Sequence, residues 1–291
     1  MGHQDVVFIG VTTQQSSTKE LWPRWIEALG IDAGLVGMDI APDAPSAEYR
    51  AAIQRLQDPS IVGAVITTHK MHVYRHCRDL FTSADPHVEM LGEVACITKE
   101  GRGLAAHTVD PASAKRVLAE MLLPGHWPTG AEALVLGAGG AGAAIALSLA
   151  EDTNRITVAD VRRERLDRVS SLALETEQIP AHGDADHLVD ALPPASLIVN
   201  ATGLGKDAPG SPVSDGAVFP RHGVVWELNY RGELRFLDQA RRQQQDRSLS
   251  VHDGWRLFLH GWAHAINLLF GTHANAHDLD ASSRGRFPRG L

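Results

Sequence analysis

The sequence predicts an α/β protein built as two domains. Short apolar runs of strand length alternate with segments of helical periodicity along most of the 291 residues. This alternation is typical of mostly parallel sheets whose faces are covered by helices. A chain of this length is also sufficient for two domains, each with its own hydrophobic core.

The composition argues against several classes of protein. No apolar run reaches the length of a membrane span, and the opening MGHQDVVFIG lacks the pattern of a signal peptide. Cys77 and Cys96 are too few for a disulfide framework, which favours a reducing cytoplasm. The net charge of −8 argues against a nucleic-acid partner. The 15 histidines form no metal-binding motif, so we expect no metal.

The first part of the chain predicts alternating strands and helices. Strands are expected at residues 6–11, 35–40 and 61–67, with helices at about 19–30 and 47–56. Apolar runs at 94–98 and 104–108 flank a glycine turn and predict a hairpin. Asp110 and Pro111 then begin a helix that extends to about residue 122.

The second part begins after a proline- and glycine-rich loop at residues 124–131. Its strands are expected at 133–136, 156–159, 197–200 and 223–228, with helices between them. The less regular stretch 180–191 predicts a short strand and a helix. An amphipathic helix is expected at 255–270, followed by a loose tail from residue 272.

The most informative motif is a glycine-rich turn. Gly137, Gly139 and Gly142 have the G-x-G-x-x-G spacing between an apolar strand and an alanine-rich helix. These glycines permit a tight turn, a close approach to a pyrophosphate, and close packing of helix on strand. Asp160 ends the next strand, where a ribose 2′-hydroxyl is expected. The alternative is a turn that binds nothing.

Seven segments, in order, resemble the shikimate/quinate dehydrogenase family. They are SST (16–18), GAVITTHK (63–70), HTVD (107–110), GAGGAG (137–142), NATGLG (200–205), ELNY (227–230) and DG (253–254). The resemblance implies a substrate domain of residues 1–110, completed by 255–291, and a Rossmann-type dinucleotide domain of residues 111–254. It also implies an active site in the cleft between the domains.

The resemblance assigns catalysis to Lys70 and Asp110. Lys70 follows a strand end, and a lysine in a partly dry cleft can have its pKa lowered enough to exchange a proton with a hydroxyl. Asp110 is expected to hold the Lys70 ammonium, although Val109 separates it from the threonine that it directly follows in the family. The alternatives are a surface lysine and an aspartate that caps a helix.

The same resemblance suggests residues that contact substrate. Ser16, Thr18 and Thr108 would offer hydroxyl groups, and Tyr230 would offer its phenol. Helix capping is the alternative for Ser16 and Thr18, and a structural hydrogen bond is the alternative for Tyr230.

The cofactor expected from Asp160 is NAD rather than NADP. A carboxylate at this place accepts bonds from ribose hydroxyls and repels a 2′-phosphate. Arg162 and Arg163 could instead meet such a phosphate, or be solvated. The expected cofactor-binding residues are Gly137, Gly139, Gly140, Ala141, Gly142, Asp160, Arg162, Asn200, Ala201, Thr202 and Gly254.

Several positions depart from the family pattern. Ile66, Ala95, His107 and Gly261 stand where the family has threonine, asparagine, asparagine and glutamine. Each loss removes a polar partner, so we expect a substrate other than shikimate itself. His260 and His264 share one helix face, and either could restore a polar contact or simply lie on the helix surface.

We therefore expect an NAD-dependent oxidoreductase that reversibly oxidises a ring secondary alcohol. Its substrate would be a shikimate-like, quinate-like or cyclitol-like small molecule. We expect no membrane partner, and the sequence leaves open whether the protein forms a homodimer. One alternative is a non-catalytic ligand-binding or regulatory protein on the same fold. Another is a methylenetetrahydrofolate dehydrogenase, which also uses a lysine but matches fewer segments.

Overall fold

The computed structural model describes residues 3–283 except 123, 124, 128, 129, 154, 173 and 207. The described chain divides into two compact units. One lies within residues 1–110 and 259–291, and the other within residues 111–258. Each unit carries its own sheet and helices, so the α/β fold class is confirmed.

The first unit contains a mixed six-stranded sheet. Its strands are β1 (Gln4–Gly10), β2 (Ala33–Asp39), β3 (Ile61–Ile66), β4 (Ser83–Ala84), β5 (Cys96–Glu100) and β6 (Gly103–His107). Their order is β2-β1-β3-β5-β6-β4. β1 pairs in parallel with β2 and β3, whereas β5 is antiparallel to β3 and β6. The predicted parallel pairing therefore holds for β1 to β3, and the predicted hairpin forms β5 and β6.

The helices near the start of this unit are α1 (Ser17–Ala28), α2 (Ser46–Gln54), α3 (Lys70–Cys77) and α4 (Pro86–Leu91). α1 buries the apolar face formed by Leu21, Trp22, Trp25 and Ile26. The α2 side chains of Tyr49 and Ile53 pack into a core cluster with β1 and β3. The sequence pattern predicts α1 and α2 but neither α3 nor α4.

The second unit contains a fully parallel six-stranded sheet. Its strands are β7 (Ala133–Leu136), β8 (Ile156–Asp160), β9 (Glu175–Gln178), β10 (Leu197–Asn200), β11 (Val224–Glu227) and β12 (Ser250–His252). The order β12-β11-β10-β7-β8-β9 reverses direction between β7 and β10. Such a switch point opens a crevice beyond the carboxyl ends of the strands, where ligands bind in open α/β sheets.

Five helices accompany this sheet, α5 (Asp110–Met121), α6 (Gly140–Leu149), α7 (Arg163–Ser170), α8 (Asp186–Asp190) and α9 (Arg235–Arg247). The four predicted strands of this region lie within two residues of β7, β8, β10 and β11. The sequence pattern does not predict β9 and β12. In the stretch 180–191 the structure has α8. Residues 124, 128 and 129 of the predicted loop lie outside the described residues.

The chain ends with α10 (Trp255–Phe270) and α11 (Ala276–Ser283). The expected loose tail is therefore wrong for α11. The Trp25 indole N–H donates to the Leu279 carbonyl at 3.1 Å and to the Ser283 hydroxyl at 2.9 Å, which fixes α11 against α1. Residues 284–291 lie outside the described part of the chain.

Within the described ranges, no helix combines the length and apolar character needed to cross a bilayer. The same residues contain no group of three or more His, Cys, Asp or Glu side chains placed to hold a metal ion.

Candidate active site

The topology of the first sheet brings several predicted site residues to one end. β5 is antiparallel to β3 and to β6, so β6 points the same way as β1 and β3. The segments that follow these three strands carry Ser16, Lys70 and Asp110. The segment that precedes β5 carries Glu93 and reaches the same end.

Lys70 and Asp110 form an ion pair there. The Lys70 Nζ atom lies 2.5 Å from Asp110 Oδ2, and the two side chains are 20% and 19% exposed. Lys70 is the first residue of α3, and Asp110 is the first residue of α5. The adjacent His69 is buried, and its ring contacts the Ile40 carbonyl oxygen and the Tyr49 hydroxyl. The Lys70–Asp110 pair is thus partly buried and follows an anchored His69.

Glu93 is a second acid near Lys70, and the sequence analysis did not single it out. It is 0% exposed, and the amide of Val94 donates to the Lys70 carbonyl oxygen at 3.0 Å. Burial lowers the pKa of Lys70, but the charges of Asp110 and Glu93 outweigh this effect and hold that pKa above its usual value. Lys70 is therefore an ammonium at neutral pH, contrary to the lowered pKa expected for it. A single acid inside the apolar run 91–97 was the available signal.

The predicted substrate hydroxyls of the first unit make local hydrogen bonds. The Ser16 hydroxyl accepts from the Thr18 amide at 3.3 Å as the N-cap of α1. Thr18 is buried. Thr108 donates its amide to Asp85 at 2.6 Å, and its hydroxyl also bonds to this carboxylate at 3.3 Å. Contact of these groups with a substrate stays a prediction.

The structure shows the surroundings of three positions that depart from the family pattern. Ala95 is buried and bonds through its backbone to Ile66 and His107. The His107 ring lies 2.8 Å from the Thr98 hydroxyl, and burial lowers the pKa of His107. A Cβ atom on Gly261 would meet nothing within 4 Å, so this position leaves space on α10.

In the second unit, the glycine loop has the shape of a phosphate cradle. Gly137 has a φ of +106°, and a Cβ atom there would lie 2.7 Å from the Ala201 carbonyl. A Cβ on Gly142 would lie 1.9 Å from the Gly137 oxygen. Around Gly139 a Cβ would meet nothing within 4 Å, so space is open at the N-terminus of α6, which begins at Gly140. The loop residues therefore fit the pyrophosphate of a dinucleotide.

Asp160 serves this loop through its own hydrogen bonds. The carboxylate is 4% exposed and accepts from the Ala138 amide at 2.7 Å and from the Arg162 amide at 2.8 Å. The Arg165 guanidinium lies 3.5 Å from the same carboxylate, and Arg168 donates to the Ala138 carbonyl. The aspartate thus stabilises the loop, and arginine side chains line the segment that follows it.

Asn200 is a buried structural residue at the end of β10. Its Oδ1 accepts from the Thr202 amide at 3.1 Å and from the Thr202 hydroxyl at 2.6 Å. Its Nδ2 donates to Glu227 at 2.6 Å. The Asn200 side chain therefore shapes segment 200–204, and a direct contact with a cofactor stays a prediction, as it does for Ala201 and Thr202.

Two more predicted residues lie close to the start of α10. Tyr230 packs in an aromatic cluster with Trp255 and Phe258, with ring centroids 5.4 and 4.8 Å away. The Gly254 amide donates to the Asn229 carbonyl at 3.1 Å, and a Cβ atom on Gly254 would lie 1.8 Å from the Leu228 oxygen. Gly254 is thus required by close backbone packing.

No model of a protein family matches the chain. Curated relatives do match it over most of its length. The "Shikimate dehydrogenase (NADP(+))" of Symbiobacterium thermophilum is 29% identical over 248 residues, covering 82% of this chain and 80% of the relative. The enzyme of the same name from Natronomonas pharaonis is 29% identical over 276 residues, covering 95% and 97%.

Solved structures show the same fold. Shikimate dehydrogenase from Aquifex aeolicus superposes with a TM-score of 0.79 at 19% identity, covering 97% of this chain and 98% of that one. Shikimate 5-dehydrogenase from Thermus thermophilus, in complex with NADP(H) and shikimate, gives 0.76 at 22% identity with the same coverage. The fold and the matched residues define a two-unit α/β protein of the NAD(P)-dependent dehydrogenase class. The chain is a divergent relative of the shikimate dehydrogenases, and the resemblance drawn from its motifs is confirmed.

The expectation of NAD in preference to NADP is wrong. The curated relatives are named as NADP(+) enzymes, and the Thermus structure contains NADP(H). The physical reason lies in Asp160, whose two carboxylate oxygens already accept backbone N–H groups. The presence of this acid therefore does not indicate a ribose contact that excludes a 2′-phosphate.

Proposed function

We propose that this protein is an NADP-dependent oxidoreductase that interconverts a secondary alcohol and a ketone on a small polyhydroxylated ring. The observation that carries this proposal is the Lys70–Asp110 pair, with 2.5 Å between Nζ and Oδ2. The pair lies at the end of the first sheet where β1, β3 and β6 terminate. The relatives named above act on shikimate, which belongs to this substrate class. Because Ala95 and Gly261 offer no polar side chain, we include quinate-like and cyclitol-like rings.

Lys70 is the proton-transfer group in this proposal. In the reductive direction its ammonium donates a proton to the carbonyl oxygen, which becomes the product hydroxyl. In the oxidative direction the neutral amine takes the hydroxyl proton. Asp110 holds Nζ in place and offers its second oxygen to a neighbouring substrate hydroxyl. The raised pKa keeps Lys70 at neutral pH in the ammonium form that the reductive direction requires.

The dinucleotide would be held by the residues of the second unit. Backbone N–H groups at Gly139, Gly140 and Ala141 would bind the pyrophosphate at the N-terminus of α6. Arg162, Arg163 and Arg165 closely follow Asp160 and would supply cations for a 2′-phosphate. When bound, the nicotinamide supplies the hydride chemistry. We keep a cytoplasmic location within this proposal because both cysteines are free thiols.

The test is turnover with a substrate panel. Shikimate, quinate and simple cyclitols are each incubated with NADP or NAD, and formation of the reduced nucleotide is followed at 340 nm. We expect turnover with NADP and a loss of about 10²–10⁴-fold in kcat for Lys70→Ala. Lys99→Ala is the matched control, because Lys99 lies in the same unit and donates to the Asp58 carbonyl oxygen at 2.6 Å.

Two results would overturn the proposal. The first is a Lys70→Ala variant that turns over as fast as the wild type. The second is binding of a ring acid and NADP with no turnover of any substrate, which would favour the ligand-binding or regulatory alternative.

A further inference from the structure

Glu227 is a buried acid for which the proposed reaction has no use. It ends β11, next to the switch point of the second sheet, and it is 0% exposed. Its Oε2 accepts from Asn200 Nδ2 at 2.6 Å, and its Oε1 accepts from the Asn229 amide at 2.8 Å. The carboxylate thus joins the segments that follow β10 and β11.

The direction of each hydrogen bond in this network is fixed by the backbone. The amides of Thr202 and Asn229 can only donate. The Thr202 amide requires Asn200 to present Oδ1 to it, so Nδ2 of Asn200 must face Glu227. Both oxygens of Glu227 therefore face donors. A protonated carboxyl group or an amide at this position would place a donor against a donor.

The same segment forms one wall of the glycine loop. The Ala201 amide donates to the Leu136 carbonyl at 2.7 Å, just before the first glycine. A Cβ atom on Gly137 would lie 2.7 Å from the Ala201 carbonyl and 2.8 Å from the Thr202 nitrogen. Because the backbones of Gly137 and residues 201–202 are in close contact, a shift of segment 200–204 is expected to move the phosphate cradle.

The surroundings of Glu227 bring its titration into the neutral range. Burial, and to a smaller extent the charge of Asp253, raise the pKa of Glu227 to about 7 against the hydrogen bonds of Asn229 and Asn200. His252 is a titratable residue on the neighbouring strand β12, where it pairs with Trp226 of β11 in the sheet. Burial lowers the pKa of His252.

We propose that Glu227 is a positioning residue for the dinucleotide, and that only its ionised form holds segment 200–204 against the glycine loop. This inference rests on the proposed binding of a dinucleotide. It assigns Glu227 no contact with the ligand. The residue acts through Asn200 and the backbone of residues 201 and 202.

The test is the affinity for NADPH at pH 6 and pH 8, measured by the fluorescence of the bound nucleotide. With a pKa of about 7, about one molecule in eleven is ionised at pH 6, so the wild-type Kd is expected to rise about tenfold from pH 8 to pH 6. The 2′-phosphate of the ligand also titrates near pH 6. The change in Kd between pH 8 and pH 6 is therefore also measured for Glu227→Gln, which binds the same ligand but lacks the acid. This change is subtracted from that of the wild type.

A double variant tests the direction of the bonds. Glu227→Gln alone is expected to bind at least tenfold more weakly at pH 8 than the wild type, with a smaller pH dependence. In Asn200→Asp combined with Glu227→Gln, the new carboxylate accepts from Thr202 and from the new amide, whose oxygen accepts from Asn229. This pair keeps the net charge and is expected to regain most of the affinity. His252→Gln is the control and should retain the wild-type pH dependence.

The possible outcomes are distinct. If the wild type binds no NADPH at either pH, the proposed function fails and this inference fails with it. If the wild type binds but Glu227→Gln matches it in both affinity and pH dependence, only this inference is overturned. Should the single variant not fold, failure of the folded double variant to bind at pH 8 would also overturn it.

Discussion

We expect substitutions of Lys70 and Asp110 to lower the free energy of unfolding by different amounts. Replacing Lys70 by Met removes the positive charge that faces both Asp110 and the fully buried Glu93. Replacing Asp110 by Asn leaves Lys70 beside Glu93, and the amide oxygen of the new residue still accepts a hydrogen bond. Lys70→Met should therefore destabilise the protein much more than Asp110→Asn.

The magnitudes follow from burial. Removing one partner of a buried ion pair costs about 3–5 kcal/mol, and the 19% exposure of Asp110 places Lys70→Met near about 3 kcal/mol. A charged hydrogen bond replaced by a neutral one costs about 1 kcal/mol, which is our expectation for Asp110→Asn.

The assay is urea unfolding of the nucleotide-free protein at pH 8, followed by tryptophan fluorescence. Lys99→Met is the control, and as a substitution at a half-buried surface position it should change the free energy of unfolding by less than about 0.5 kcal/mol. Equal costs for Lys70→Met and Asp110→Asn at pH 8 would refute the reasoning, because they would show that loss of the Lys70 charge costs no more than a weakened hydrogen bond.

Further predictions concern packing. Gly142→Ala should lose about 1–3 kcal/mol of stability, since its methyl group would meet the Gly137 oxygen. Gly139→Ala should keep its melting temperature, because the added methyl group meets no protein atom within 4 Å. It should bind NADPH weakly, because that methyl group would occupy the space proposed for the pyrophosphate. Trp25→Phe loses its bond to Ser283 and should cost about 1–2 kcal/mol by urea unfolding, with faster proteolysis of α11. Burial raises the pKa of the two cysteine thiols to about 11 and about 12, so neither should react with a thiol reagent at pH 8.

The strands were the most predictable part of the fold. Runs such as 133–136 and 197–199 are apolar because they are buried on both faces, and flanking turn residues mark their ends. The sequence pattern does not predict α3, because its eight residues include two histidines, an arginine and a tyrosine. These residues give the segment little apolar periodicity of the helical kind. β9 is equally polar, since most of its residues are exposed.

The candidate site was predictable only in part. The order of motifs indicated Lys70 and Asp110, but their 2.5 Å approach depends on the antiparallel hairpin that turns β6 parallel to β3. Asp160 shows the opposite case. Its spacing suggested a ligand contact, yet a carboxylate two residues before an available amide often bonds to that amide, as Asp160 does to Arg162.

The first unit takes its residues from both ends of the chain, and this has a consequence for synthesis on the ribosome. Phe8, Trp22 and Trp25 pack against Trp262, which emerges only after the whole of the second unit. Domains generally fold as units while translation proceeds. The N-terminal sheet must therefore keep this aromatic surface uncovered until Trp262 has been synthesised, and chaperones that bind exposed apolar segments should engage it during that interval.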